Sequence, residues 1–126
     1  MNDLRNQKIL IVDDMEANID ILVQALQEEY RVGMAMNGQE AIEYAKRSLP
    51  DLILLDIMMS GINGFEVCQN LKEDPLTRRI PIIFITALDA SEHKTRGFEI
   101  GAVDYITRPF DITEVKARVR THLALK

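Results

Sequence analysis

Five short apolar runs alternate along the chain with segments in which apolar residues recur every three or four positions. A continuous run of aliphatic and β-branched residues is typical of a strand that is covered on both faces of a sheet. The runs lie at Lys8–Val12, Arg31–Met36, Leu52–Leu55, Pro81–Ile85 and Val103–Ile106. A longer segment follows each run, so the pattern predicts strands that alternate with helices.

The segments between the runs have the spacing of amphipathic helices. The first spans about Glu16 to Glu29, the second must end before Pro50, and Asp89–Ile100 is only weakly helical. We interpret Cys68 in the third helix as a core residue rather than a redox group. The apolar positions of the first three helices are Ile19, Leu22, Val23 and Leu26; Ala41, Ile42 and Ala45; Phe65, Val67, Cys68 and Leu71.

The last helix is predicted to begin at Asp111, with Glu114 three residues on as a capping box. No glycine or proline stops this helix before Lys126. We therefore expect residues 1–126 to be one domain at the N-terminal end of a longer protein. A stand-alone domain whose helix frays at Lys126 is the alternative. The face expected to meet the core carries Ile112, Val115, Val119 and Leu123.

Alternation of this kind predicts an α/β fold, in which a doubly wound, five-stranded parallel sheet has helices on both faces. Its crossover connections should be right-handed. In such sheets the functional crevice lies at the carboxyl ends of the strands. The residues at those ends are therefore the first candidates for a functional site.

Three of the predicted strands end in polar residues. The first ends in Asp13 and Asp14, the third in Asp56, and the fourth in Thr86. An aspartate in this position is often only a helix cap. If these strands are neighbours, however, three carboxylates converge and repel one another unless a cation lies between them. Hard oxygen ligands with no soft ligand nearby favour Mg²⁺ over zinc.

A carboxylate can also act as a nucleophile toward phosphorus and form an aspartyl phosphate. A metal ion and nearby donors would then stabilise the transferred phosphoryl group. Thr86 offers a hydroxyl and Arg108 a guanidinium close to the same edge. The joint placement of these residues predicts phosphoryl chemistry at the carboxyl edge.

Composition excludes several classes of protein. The chain has 126 residues, 47% of them hydrophobic and 28% charged, and its net charge is −5. An acidic domain is not built to bind nucleic acid directly. Cys68 is the only cysteine, and no apolar run approaches the length of a membrane span. We expect a soluble, cytoplasmic protein with no direct contact to nucleic acid or membrane.

The chain resembles bacterial two-component response-regulator receiver domains from about Lys8 to Leu123. The resemblance rests on ordered motifs, namely ILIVDD, PDLILLDIMM, NGFEVC, IPIIFITA and GAVDYITRPF. It implies a flavodoxin-like sheet with strand order 2-1-3-4-5. It also implies phosphorelay signal transduction, in which a non-enzymatic domain takes a phosphoryl group from a histidine kinase and controls an effector.

The resemblance also implies roles for individual residues at the acidic edge. Asp56 matches the phosphoacceptor, and Asp13 and Asp14 match the acidic pair that binds Mg²⁺ with it. Met58 matches the position whose backbone carbonyl is a metal ligand, and its side chain would face outward.

Further matches concern the switch that follows phosphorylation. Thr86 matches the switch hydroxyl and Tyr105 the aromatic residue that changes rotamer with it. Arg108 stands where the family usually has a lysine that contacts the phosphoryl group, and the bond before Pro109 would be cis. We expect the longer arginine to make this contact less directly. Ser60 replaces a usual proline, so its loop should be less stiff.

Partners and alternatives follow from the same comparison. The expected partners are a histidine kinase or phosphotransfer protein, a downstream effector domain, and a second copy bound through the fourth helix, fifth strand and fifth helix. The main alternative is a degenerate receiver that binds proteins but no longer cycles phosphate because of Arg108. Two other functions are disfavoured by the residues after the first strand, which are Asp13-Asp14-Met15-Glu16. A haloacid-dehalogenase-type phosphatase would need Asp-x-Asp there. A flavin-binding module would need a hydroxyl-rich loop there.

Overall fold

The computed structural model describes residues 6–87 and 91–125, and within them five strands form one parallel sheet. The strand order is β2-β1-β3-β4-β5, which confirms the predicted fold. The strands are β1 (Lys8–Val12), β2 (Arg31–Ala35), β3 (Leu52–Asp56), β4 (Ile82–Ala87) and β5 (Asp104–Arg108). β4 is longer than its apolar run, because Thr86 and Ala87 still pair with Thr107 and Arg108 of β5.

Five helices connect the strands in the predicted places. They are α1 (Glu16–Leu26), α2 (Gly38–Ser48), α3 (Gly64–Glu73), α4 (Ser91–Ile100) and α5 (Ile112–Ala124). The predicted start of the fourth helix at Asp89 lies outside the described residues. Within the described ranges, no helix is long and apolar enough to cross a membrane.

The core has two layers because successive residues of a strand point to opposite faces of the sheet. Leu10, Ile53 and Phe84 face the layer that holds the buried residues of α2 and α3. Ile9, Leu54 and Ile83 face the layer that holds those of α1 and α5. Cys68 is fully buried in the first layer, as predicted.

The start of α5 differs from its prediction in two respects. Asp111 does cap the helix, accepting hydrogen bonds from the backbone amides of Thr113 and Glu114. The carboxylate of Glu114, however, accepts from Arg118 Nε at 3.3 Å, so the reciprocal half of the capping box is not seen. Ile112 was also wrongly placed in the core, since it is 36% exposed. It lies in the first turn of α5, whose buried positions begin only at Val115.

Candidate functional site at the carboxyl edge of the sheet

Four adjacent strands carry the predicted site residues to one edge of the sheet. Asp13 and Asp14 follow β1, Asp56 ends β3, and Arg108 ends β5. Thr86 is the penultimate residue of β4, which lies between β3 and β5. The doubly wound topology therefore gathers residues that are far apart in sequence.

Asp13 and Asp14 have different environments. Asp13 is fully buried, and its carboxylate accepts hydrogen bonds from the Met15 amide at 2.9 Å and from Asn18 Nδ2 at 3.1 Å. Asp14 is exposed, and its Oδ2 accepts from the Ser60 amide at 3.2 Å. One carboxylate is thus held rigidly inside the edge, while the other faces solvent and joins two loops.

Asp56 is a buried carboxyl group with few favourable contacts. It is 1% exposed, and its Oδ1 lies 3.4 Å from the donating Met58 amide. Burial, and after it the charge of Asp13, raises the pKa of Asp56 from 3.8 to about 7, although Arg108 opposes this change. Because a buried charge without full compensation is costly, the carboxylate form of Asp56 favours binding of a cation.

The three aspartates fit a hard divalent cation. Each offers a carboxylate oxygen, and these oxygens all lie within 4.8 Å of one another. All three donors are oxygens, and the exposure of Asp14 leaves room for coordinated waters. Mg²⁺ prefers such a site, with a small number of carboxylates and several waters. The side chain of Met58 is 63% exposed and faces outward as expected, whereas its carbonyl ligand role stays a prediction.

Arg108 reaches the acidic cluster directly, and its contact with a phosphoryl group stays a prediction. Its Nη2 lies 3.4 Å from Asp56 Oδ1 and its Nη1 lies 4.0 Å from Asp13 Oδ2. The fork of the guanidinium lets one side chain approach two carboxylates, which the compact ammonium of a lysine does less readily. The Arg108–Pro109 peptide bond is cis, as the resemblance implied.

Thr86 and Tyr105 lie on one face of the sheet. Tyr105 pairs with Phe84 in the β4–β5 register, and Thr86 is two residues beyond Phe84, so their side chains share that face. The Tyr105 ring is 6% exposed, and its hydroxyl donates to the Lys94 carbonyl. The Thr86 hydroxyl is buried and has no hydrogen-bond partner within the described ranges. A group that arrived at Asp56 could therefore use this free donor.

Sequence reasoning missed two residues that shape the site. Asn18 holds Asp13 from the first turn of α1, and an asparagine six residues after a strand gives no distinct signal. Gly64 begins α3 so close to β3 that an added Cβ would lie 2.3 Å from the Asp56 carbonyl oxygen. Asn63 and Glu66 form a reciprocal capping box there, and their spacing could have revealed this helix start.

Comparison with known proteins agrees with this geometry. The sequence pattern of the response regulator receiver domain matches residues 9–120. Response regulator PleD from Caulobacter vibrioides is 50% identical over 115 residues, which are 90% of this chain and 25% of that protein. The chain thus spans about a quarter of the length of this relative.

Solved structures show the same architecture. A protein from Chloroflexus aurantiacus, assigned as a response regulator, is 36% identical with a TM-score of 0.91, over 94% of this chain and 98% of that one. The receiver domain of a sensor histidine kinase from Pseudomonas aeruginosa is 27% identical with a TM-score of 0.87, over 94% of this chain and 98% of that one. That structure has a magnesium ion coordinated in its active-site cleft.

Proposed function

The chain belongs to the response regulator receiver domain family, the signal-receiving module of two-component systems, and from this premise we propose that Asp56 is its phosphoacceptor. The observation that supports this proposal most is the position of Asp56. Its carboxylate is buried at the carboxyl edge, within reach of two further carboxylates and one guanidinium.

In the proposed reaction, a carboxylate oxygen of Asp56 forms a bond to phosphorus while the phosphorus–nitrogen bond of a donor phosphohistidine breaks. The imidazole nitrogen leaves with the electron pair and takes a proton from water. Only the ionised carboxyl group can attack, so any cation that lowers the raised pKa of Asp56 also increases its reactive fraction.

We propose that Asp13, Asp14, Asp56 and the backbone carbonyl of Met58 hold Mg²⁺. When bound, Mg²⁺ supplies charge neutralisation for the carboxylates and the transferred phosphoryl oxygens. Arg108 would also contact the phosphoryl group, because its guanidinium already lies beside Asp56. The match to a magnesium-containing relative supports this choice of ion.

The switch would begin at Thr86, whose free hydroxyl can donate to a phosphoryl oxygen on Asp56. Movement of Thr86 would open or close space beside Tyr105, and so change the surface of α4, β5 and α5. We propose that this surface meets a second copy or an effector domain in a longer regulator. The effector and its activity belong to that longer protein, and a stop codon directly after Lys126 would refute its existence.

No observation within the described ranges favours the degenerate alternative, since Arg108 still provides a cation at Asp56. In the proposed function the receiver domain accepts one phosphoryl group and does not turn over a substrate as an enzyme does. The haloacid-dehalogenase and flavin readings have no support in the family match.

The proposal is tested by incubating the protein with acetyl phosphate and Mg²⁺ and measuring its intact mass. The wild type should gain the mass of one phosphoryl group, and Asp56→Asn should gain none. Equal labelling of both proteins would refute Asp56 as the acceptor. An unlabelled wild type that becomes labelled as Arg108→Lys would establish the degenerate receiver instead.

A further inference from the structure

A groove lies at the amino edge of the sheet, opposite to the acidic site. It has a volume of about 410 Å³ and opens between the end of α3, the residues before β4 and β5, and the last turn of α5. Grooves of this size accept ligand groups or the side chains of a bound peptide. The groove is lined by Lys72, Arg79, Pro81, Val103, His122 and Leu125.

The charged residues of this lining are basic. Lys72 Nζ donates to the carbonyls of Arg78 at 3.1 Å and Ile80 at 2.8 Å, which fixes its ammonium group at the groove. Neither Lys72 nor Arg79 forms a salt bridge to a carboxylate of residues 6–87 or 91–125. On a chain whose net charge is −5, these cations form a local positive field.

The rest of the lining is apolar and partly exposed. Val103 is 40% exposed and Leu125 is 74% exposed, so both offer aliphatic surface to solvent. The His122 ring, which also lines the groove, is held in place because its Nε2 lies 3.0 Å from Asp104 Oδ2. The groove thus combines exposed apolar surface with cations that have no salt bridge within the described ranges.

We propose that this groove binds a peptide segment of a partner protein in which a carboxylate side chain neighbours a large aliphatic side chain. The carboxylate would lie against Lys72 and Arg79, and the aliphatic group against Val103 and Leu125. Nucleic acid would leave the apolar wall uncovered, and a flat membrane surface would not enter a concave groove. This inference does not depend on the phosphorylation of Asp56, since the two sites lie at opposite edges.

The test uses a short acetylated peptide that alternates glutamate and leucine, titrated into the ¹⁵N-labelled chain and followed by amide chemical shifts. Two control peptides carry glutamine for glutamate or serine for leucine. The protein variants are Arg79→Glu and Leu125→Ser, both at exposed positions. Arg31→Glu is the matched control, because Arg31 is an exposed arginine of the amino edge that does not line the groove.

We expect shifts around Arg79, Val103 and Leu125, and a dissociation constant that rises about fivefold or more in Arg79→Glu but less than about twofold in Arg31→Glu. Both control peptides and Leu125→Ser should bind more weakly. The proposal is overturned if no shifts occur, if the glutamine peptide binds equally, or if both arginine variants weaken binding alike. It is also overturned if Arg79→Glu abolishes self-association or binding to anionic vesicles instead, because a second copy or a membrane would then be the occupant.

Discussion

The two edges of the sheet differ in how their buried polar groups are satisfied. At the amino edge, the hydroxyl of buried Thr77 donates to the Leu71 carbonyl at 2.7 Å. At the carboxyl edge, the equally buried Thr86 hydroxyl has no hydrogen-bond partner within the described ranges. Lys72 likewise donates to two carbonyls at the amino edge. At the carboxyl edge, by contrast, Asp56 is buried beside a second buried carboxylate. The Gln7 side-chain oxygen is an exception at the amino edge, since it is buried and has no hydrogen-bond partner among residues 6–87 and 91–125.

This difference indicates that the carboxyl edge, where the candidate site lies, is less stable than the amino edge. Satisfied buried groups stabilise a fold or leave it unchanged, whereas unsatisfied groups cost free energy. The carboxyl edge retains a buried carboxyl group whose pKa stays raised despite Arg108 and, within the described ranges, a hydroxyl without a hydrogen-bond partner, both of which a metal ion and a phosphoryl group could satisfy. The predictions below test this contrast, beginning with the largest effect.

Removing the charge of Asp56 should stabilise the metal-free protein at neutral and alkaline pH. The folded-state pKa of about 7 exceeds the ordinary 3.8, so ionisation of Asp56 destabilises the folded state. This free-energy cost is absent below about pH 4, grows as pH rises, and is complete above about pH 7. The free energy of unfolding of Asp56→Asn minus that of the wild type should therefore be larger at pH 8 than at pH 4, by at most about 4 kcal/mol. Urea unfolding in EDTA measures this difference.

Mg²⁺ provides the control for that experiment. Added Mg²⁺ should raise the free energy of unfolding of the wild type at pH 8 and have less effect on Asp56→Asn. If the two proteins show the same pH dependence in EDTA, the buried carboxyl group of Asp56 is not destabilising and the contrast between the edges fails.

Gly64→Ala should destabilise the protein by about 1 to 3 kcal/mol, because its Cβ would meet the Asp56 carbonyl oxygen at 2.3 Å and push α3 away. Gly61→Ala is the matched control. Gly61 has a φ of 76° and nothing within 4 Å, so alanine should cost only its backbone strain, about 1 kcal/mol. Thermal unfolding ranks the two variants, and equal losses would mean that the close approach at Gly64 carries no extra cost.

The two buried threonines allow the edges to be compared by one substitution. Thr77→Val should cost about 1 to 2 kcal/mol, because the Leu71 carbonyl loses its donor. Thr86→Val should leave the free energy of unfolding unchanged or raise it by up to about 2 kcal/mol, because within the described ranges no hydrogen bond is lost and an unsatisfied buried hydroxyl is removed. Thr86→Val should still be labelled by acetyl phosphate but lose the shift of the Tyr105 resonances on phosphorylation. A large loss of stability in Thr86→Val would contradict this account.

Arg108→Lys should have the smallest effect on the chemistry. In the proposed reaction a bound metal ion would supply most of the stabilisation, so labelling by acetyl phosphate should stay within about threefold of wild type. The phosphorylation-dependent change around Thr86 and Tyr105 should differ more, because lysine cannot approach Asp13 and Asp56 with a fork. Comparing labelling rates with NMR shifts separates the two effects. Labelling that falls by more than about threefold, in protein whose phosphorylated fraction shows the wild-type shifts, would refute this division.

The fold and most of the site's members could be predicted from sequence. The apolar runs and their spacing report which side of each element is buried, and the parallel sheet then places strand ends such as Asp13, Asp56 and Thr86 at one edge. The motif match added Tyr105 and the cis bond before Pro109. These inferences depend on periodicity and order, both of which a single sequence contains.

Other features could not be predicted because they depend on three-dimensional distances. Periodicity places Ile112 on the helix face of Val115 but does not report where along that face burial begins, and in α5 it begins at Val115. The reach of Arg108 to two carboxylates depends on the rotamer of a long side chain. Gly64 is needed only because α3 begins against the backbone of Asp56.

The most direct measurement of the central claim locates the phosphoryl group chemically. Phosphorylated protein is treated with borohydride, which reduces an acyl phosphate to the alcohol and so converts the modified aspartate to homoserine. Tandem mass spectrometry of the digested protein then finds the residue. We predict homoserine at position 56 and intact aspartate at positions 13 and 14. Homoserine at Asp13 or Asp14, with Asp56 unchanged, would contradict the account.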